Sequence, residues 1–387
     1  MDKKYRLINE EKVKIQAEAF TALESNGFRG IVILPTGTGK SLVLINCLKH
    51  LYQEGMKVLY TCDSQDLRDS GFDEELVKWG AEEYCDKVEK LCYKTAYKKK
   101  GEEYDIGLFD EGDFALTKEY SKLFFQNKFR YIIFVSATLD KKKEPVAEKI
   151  APIVYRKEVK EVEDKKVINR ANFFYVPYIL NPKEDYKYKR YSERFKELIN
   201  AKPNPFFDNR QFKEWSDKRQ RDLDFLTFQR LQFLASLESS AYICRKIFEY
   251  IHKQDPKARV VAFCGQTEQA DKICKYSYHE KNADKDNLKR FDDGEINYLA
   301  VCGKIDRGKN LKGVNRIVLE NYNKSETKLV QRTGRGRRLK VDEVLDVYIP
   351  VAHYTINGKP KPTIMLDWIL EAGKNIGIEN AKTILLK

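Results

Sequence analysis

The chain of 387 residues predicts an α/β protein in which two parallel-sheet domains stand in tandem with a helical insert between them. Three observations carry this expectation. Short apolar runs alternate with amphipathic stretches up to about residue 155, and again from about 241 to the end. A polar, basic and aromatic-dotted stretch, 156–240, separates the two regions. In the first region an apolar run passes through a glycine-rich turn into a helical pattern, the way a strand feeds a covering helix.

In order along the chain, residues 11–26 read as an amphipathic helix, followed by Gly27 and a strand from Gly30 to Leu34. The turn PTGTGKS (35–41) leads into a helix that stops at Gly55. Strands are expected at 57–62, 105–111 and 130–138, with helical patterns between them such as GFDEELVKWGAEEY. Strands separated by helices make a parallel sheet covered on both faces. The first domain is therefore placed at 1–155. Within 156–240, KEVKEVEDKK is a charged connector, and the stretch after it reads as mostly helical with an interruption at Pro203 and Pro205. A helix near 230–253 and strands at 259–265, 296–303, 315–321 and 343–351 then define a second domain, 241–387.

Lys and Arg number 72 against 59 Asp and Glu, a formal charge of +13. Such an excess fits a polyanionic partner, because neutralised phosphates release counterions. It equally fits a basic soluble surface, and charge alone does not choose. The 156–240 segment reads in the same two ways, as a solvated linker or as an insert whose Arg and aromatic side chains grip a nucleic-acid strand. At 42% hydrophobic residues the chain can build packed cores, which excludes a disordered class. The eight cysteines form no CxxC pair and several lie in apolar runs, so free buried thiols are expected, with no structural metal. The N-terminus has no apolar signal core, and no stretch approaches about 18 apolar residues. A soluble, cytoplasmic protein of a prokaryotic or phage-infected cell, with no membrane partner, is the expectation.

Three constellations carry chemistry. In PTGTGKS, Gly37 and Gly39 let the backbone curl so that its N–H groups face a phosphate chain. Lys40 would reach the β- and γ-phosphates, and the Ser41 hydroxyl would hold Mg²⁺. The strict phosphate-loop pattern has a glycine where this chain has Leu34. In FDEGD (109–113), Asp110 at a strand end suits Mg²⁺, and Glu111 can orient and deprotonate an attacking water. In QRTGRGRR (331–338), Arg335 and Arg338 stand about one helical turn apart, so both can serve one site. Arg332 and Arg337 fit a merely basic patch.

Together these motifs resemble superfamily 2 helicases of the DEAD/DEAH-like kind, which carry two RecA-like domains, and the likeness runs in order along nearly the whole chain. PTGTGKS resembles motif I, FDEGD motif II, VSATLD motif III, VVAFCGQTEQAD motif IV, the 288–319 region motif V, and QRTGRGRR motif VI. TCDSQDLRDS and LCYKTAY look like motifs Ia and Ib. The resemblance implies ATP and Mg²⁺ as ligands and nucleic acid as partner. It implies that Gln16 reads adenine, that Pro35, Thr36, Gly37, Thr38, Gly39, Lys40 and Ser41 cradle the triphosphate, and that Gly308 and Asn310 complete the nucleotide site. Asp110 and Glu111 would serve metal and water. Gln331, Arg335 and Arg338 would act from the opposite lobe, the arginines as fingers, an effect worth about 10³–10⁵ in rate. Ser136 and Thr138 would couple nucleotide state to grip. Ser64, Arg68, Thr95, Gln266, Thr267 and Lys304 would line the strand-binding surface, touching backbone and not base.

Some positions depart from the family. Asn310 stands where many relatives carry Asp, and Gly112 stands where alanine is usual, a change that looks sterically mild. The signature that precedes the glutamine in DEAD-box RNA helicases is missing, and motif VI begins with Gln331 and not His. These last two features lean away from that RNA group, and the wording GKNLKGVNRIVL resembles compact phage UvsW-type DNA-remodelling helicases. The leading expectation is an ATP-dependent DNA helicase, translocase or branch-migration motor, a monomeric core with replication, recombination or repair partners. An RNA-stimulated helicase and an ATP-gated clamp with little turnover are the alternatives.

Overall fold

Parallel pairing organises both halves of the chain. In the computed structural model, which describes residues 10–65, 67–281, 286–303, 311–322, 325–336 and 343–386, helix α1 (Glu10–Ser25) precedes the first sheet. That sheet contains β1 (Arg29–Ile33), β2 (Val58–Cys62), β3 (Val88–Cys92), β4 (Glu103–Phe109), β5 (Lys128–Ser136) and β6 (Ile153–Arg156). Its order is β3-β2-β4-β5-β1-β6, every neighbour parallel. The central strands β4, β5 and β1 are adjacent, so their C-terminal ends open side by side on one edge, where ligands of such sheets bind. β1 and β5 run in register from Arg29 against Ile132 to Ile33 against Ser136. Helix α2 (Lys40–Leu51) covers the sheet through Val43, Leu44, Ile45, Cys47 and Leu48, all buried.

The second sheet takes β7 (Ala171–Ile179), β8 (Val260–Phe263), β9 (Ser277–Tyr278), β10 (Tyr298–Val301), β11 (Arg316–Leu319), β12 (Leu345–Ile356), β13 (Lys359–Pro362) and β14 (Lys382–Thr383). Its order is β14-β7-β12-β11-β8-β10-β9, with β13 turning back antiparallel on β12. The 156–240 segment is thus not only connector and helical insert. Its residues 171–179 form a strand that pairs with β12 along nine positions, from Ala171 against Leu345 to Ile179 against His353.

The insert proper is a helical hairpin of α3 (Pro182–Asn200) and α4 (Asn209–Leu234). Each helix opens with a capping box, Asn181 with Glu184 and Asp208 with Gln211, and Pro182 occupies the first turn of α3. The turn between them holds Pro203 and Pro205, as expected. The helix expected near 230–253 is two helices, the end of α4 and then α5 (Glu238–Gln254), broken at Leu237. The carboxylate of Glu184 fixes that break, accepting from the first amides of α5 at Glu238 (2.6 Å) and Ser239 (3.2 Å). All eight cysteines are free, and five of them are buried. Among the described residues no helix is long and apolar enough to cross a membrane.

Candidate functional site

The phosphate-loop sequence leaves the end of β1 and enters α2 under tight backbone control. Gly37 and Gly39 adopt φ of 97° and 92°, the left-handed region that side chains strain. At Gly39 crowding adds to this, since a Cβ there would stand 2.2 Å from Gln16 Nε2. That nitrogen donates to the Thr38 carbonyl at 2.8 Å, and the Thr38 hydroxyl donates to the Pro35 carbonyl at 2.8 Å. Gln16, expected at adenine, therefore holds the loop itself through its amide nitrogen. α2 begins at Lys40 with no side-chain cap, and a helix start of this kind favours an anion. Pro35, Thr36 and Thr38 are buried, while Gly37, Gly39, Lys40 and Ser41 stand at the half-buried lip.

β4 ends at Phe109, so Asp110 and Glu111 lie just beyond the strand, not within it. The Tyr93 hydroxyl donates to the Asp110 carbonyl (2.8 Å), the Tyr60 hydroxyl to its carboxylate (3.4 Å), and the Glu111 amide to its Oδ1 (2.9 Å). Burial first, and the neighbouring Glu111 second, push the Asp110 carboxyl up to about 7 against the pull of Lys40. Glu111 sits in the left-handed region, φ 53° and ψ 51°, an uncommon conformation for a residue with a long side chain. At Gly112 a Cβ would stand 3.0 Å from Cδ1 of the fully buried Phe134, so an alanine there would need that ring to give by a few tenths of an ångström.

Asp113, the last residue of that motif, joins the site although the sequence reading gave it no role. It pairs with Lys143 at 2.6 Å and accepts from the Asp140 amide at 3.0 Å. Its own amide donates to Ser136 Oγ at 3.4 Å, and the Ser136 hydroxyl donates to the Thr138 carbonyl at 2.6 Å. Motifs II and III are thereby one hydrogen-bonded unit. The fifth position of FDEGD was the available clue for Asp113; nothing in the sequence pointed to Lys143.

The second lobe reaches this edge through α7, preceded here by α6 (Thr267–Ile273) and itself spanning Glu326–Gly336. Gln331, 6% exposed, donates from Nε2 to Glu111 Oε2 at 3.1 Å, a direct bond from lobe to lobe. One turn on, Gly334 rests against Thr36: a Cβ at 334 would stand 2.5 Å from Thr36 Cβ. Beside these contacts a cleft of about 820 Å³ is lined by Glu111, Asp113 and Thr138 of one lobe and by Ser325, Gln331 and Asn375 of the other. Arg332 turns inward, donating to the Asn321 carbonyl at 2.6 Å over the Phe263 ring, so it is a structural group of its own lobe. Arg335 lies on α7, but its side chain falls outside the described residues, as do Arg338, Gly308, Asn310 and Lys304.

The expected strand-binding residues follow the C-terminal ends of strands in both sheets. Ser64, after β2, accepts the Leu67 amide through Oγ at 3.3 Å. Arg68 pairs with Asp69 at the surface, and Thr95, after β3, is exposed. Gln266 and Thr267, after β8, begin α6, and the Gln266 amide donates to the side chain (3.1 Å) and carbonyl (3.3 Å) of Gln232 at the end of the insert. Sequence reasoning also missed Glu320, wholly buried after β11, which accepts from Ser240 (2.9 Å) and from the Gly265 amide (3.0 Å). Burial pushes its carboxyl up to about 7.

The family profile described as type III restriction enzyme, res subunit, matches residues 9–141, and that of the helicase conserved C-terminal domain matches 241–340. The chain is similar to the DNA 3'-5' translocase XPB2 of Sulfurisphaera tokodaii, 23% identical over 359 residues that cover 86% of this chain and 80% of that one. Among solved structures, S. cerevisiae Dbp5 bound to RNA and ADP BeF3 superposes with a TM-score of 0.58 at 13% identity, covering 97% of this chain and 90% of that one. The ATP-dependent type ISP restriction-modification enzyme LlaBIII bound to DNA gives 0.62 at 13%, covering all of this chain and 31% of that one. One neighbour carries RNA and the other DNA, so the shared two-lobed fold does not by itself choose between them.

Proposed function

The chain belongs to the superfamily 2 helicases, nucleic-acid-dependent enzymes that hydrolyse ATP, and from that premise we propose a DNA motor that advances along or unwinds its track, branch migration included. The observation that supports this reading most directly is the Gln331–Glu111 hydrogen bond, which joins a motif of one lobe to the acidic pair of the other. The leaning towards DNA rests on the similarity to a DNA translocase.

The residues present fit a bound nucleotide and its metal. Two left-handed glycines and an uncapped helix start offer N–H groups to phosphate, and a crowded carboxyl pair waits for positive charge. Ser41 and Asp110 would hold Mg²⁺, which when bound screens the phosphate oxygens. Lys40 would neutralise the terminal phosphates from the start of α2. Glu111 would orient the attacking water and take its proton, with Gln331 fixing the carboxylate from the far lobe. Arg335, four residues after Gln331, and Arg338 would stabilise charge on the transferred group. Asp113, Ser136 and Thr138 would pass the state of the cleft to the strand-binding edge, where Ser64, Arg68, Thr95, Gln266, Thr267 and Lys304 would contact phosphates. ATP favours the closed cleft because both lobes touch it there, and hydrolysis removes that preference.

The test is ATP turnover with single-stranded, forked and four-way DNA and with RNA. Stimulation by DNA above RNA is expected. Stimulation by RNA alone would overturn the choice of track, and none by any of them would overturn the motor.

A further inference from the structure

The helical insert is built onto the second lobe, not tethered to it. At its base the Glu184 carboxylate caps α5, and Asp185 accepts the Thr355 amide at 2.6 Å. Arg230, 7% exposed, donates to the Tyr188 hydroxyl at 2.8 Å and lies over the Tyr188 and Phe195 rings. That hydroxyl also accepts the Ile364 amide at 3.0 Å. These buried polar contacts, each costly to leave unpaired, fix the hairpin to the lobe.

Its outer side is unlike its base. Lys218, Arg221, Phe225, Phe228 and Gln232 are spaced three, four, three and four apart on α4, so they form one stripe along the helix, and all five are exposed. Phe225 and Phe228 keep 62% and 56% of their surfaces in water on adjoining turns. Single exposed rings are ordinary, but a neighbouring pair in line with two cations, Lys218 and Arg221, is not, although the exposed carboxylates of Asp222 and Asp224 also stand beside the rings. At its lobe end the stripe finishes on Gln232, which is bonded to Gln266. On the flank of the helix Asp224 is drawn towards Gln220 (2.9 Å).

We infer that this stripe of α4 is a stacking track for a single nucleic-acid strand, a second grip carried rigidly by the second lobe. Unpaired bases present π-faces to the two phenyl rings, while Lys218 and Arg221 neutralise the backbone beside them. A duplex hides its base faces from such a helix, so the occupant is a single strand. The chain's charge of +13 and the continuity with Gln266 favour this polyanion over a protein partner. Because the hairpin moves with its lobe, closure of the cleft would displace this grip relative to the first lobe. The inference rests on the motor reading above.

The experiment uses the full chain and a Phe225→Ala/Phe228→Ala variant, with fluorescence anisotropy on a labelled single-stranded oligonucleotide and on its duplex. Each ring is worth about 5- to 150-fold in affinity, so the double variant should bind the single strand at least roughly 25-fold more weakly. Duplex affinity, ATP turnover without nucleic acid and melting temperature should stay at wild-type values, since both rings are exposed. Phe225→Trp/Phe228→Trp should restore binding. Single-strand affinity equal to wild type, or equal losses on strand and duplex, would overturn the track while leaving the motor standing. A wild-type chain that neither binds nor responds to any oligonucleotide would instead remove the motor reading and this one with it.

Discussion

Replacing Gly334 by alanine adds one methyl group where α7 meets the phosphate loop, and its two effects have opposite signs. Within the helix alanine is favoured over glycine by about 0.5–1 kcal/mol. At the interface the new carbon would stand 2.5 Å from Thr36 Cβ, 2.9 Å from its Cγ2 and 3.0 Å from its Oγ1, where carbon pairs rest at about 3.5–4.0 Å. Thr36 Cβ is bonded directly to the loop backbone and cannot swing aside as a side-chain tip would. Overpacking of this kind costs about 1–3 kcal/mol, which lowers the closed population by roughly 5- to 150-fold. Gly334→Ala should therefore slow nucleic-acid-stimulated ATP turnover at least about fivefold while its melting temperature holds or rises. Steady-state turnover and a thermal scan on the same sample measure both. Wild-type turnover would show that hydrolysis does not need α7 seated on the loop, and a fall in melting temperature would show that the methyl harms the fold instead.

Lys40→Ala and Glu111→Gln should each lower turnover at least about 100-fold, with nucleotide binding by calorimetry retained in Glu111→Gln; near-normal turnover in either variant refutes the site. Arg335→Ala should lower turnover by about 10³ with little change in nucleotide affinity, and an equal loss in both would argue against a finger. Glu320, raised from an ordinary 4.5 to about 7, contributes stability that is complete below pH 4.5 and lost as pH rises to 7 and beyond. Against Glu320→Gln, whose amide can meet Ser240 and Gly265 without titrating, wild type should lose up to roughly 3 kcal/mol between pH 5 and 8; parallel urea-unfolding curves at both pH values would refute this. Glu184→Ala leaves two amides of α5 uncapped and should lower the urea midpoint by the equivalent of about 2 kcal/mol, an expectation that an unchanged midpoint would end.

What could be read from the sequence was what demands particular residue types at fixed spacing. A loop that bends around phosphate needs its glycines, and an acidic pair needs a strand to end beneath it, so both appear as letters. β7 did not, although NFFYVPYI is strongly apolar, because Pro177 argues against a strand inside a sheet. The register resolves this. Leu180 donates to the His353 carbonyl, so the even-numbered amides of β7 face β12 and position 177 faces the other way. On that side β14 reaches only Phe174 and Tyr175, leaving Pro177 on an open edge where no donor is needed. The loop-holding role of Gln16 and the Lys143–Asp113 pair were likewise beyond reach, since each depends on distant segments meeting in space.

Gln331 and Gly334 of α7 touch the first lobe in physically different ways, and together they limit how closely the lobes approach. Gln331 supplies attraction, a directional bond to Glu111 that forms only when donor and acceptor come within about 3 Å. Gly334, three residues on and so on the same face, supplies the limit, because its missing side chain lets the helix come to rest on Thr36 and no nearer. A longer side chain at 334 would stop the approach before the Gln331 bond could form. An apolar residue at 331 would let the helix dock but leave Glu111 without its far-lobe donor. Closure is thereby set by hard stereochemistry at one position and by a hydrogen bond at the other, and the bond ends on the carboxylate assigned to the attacking water.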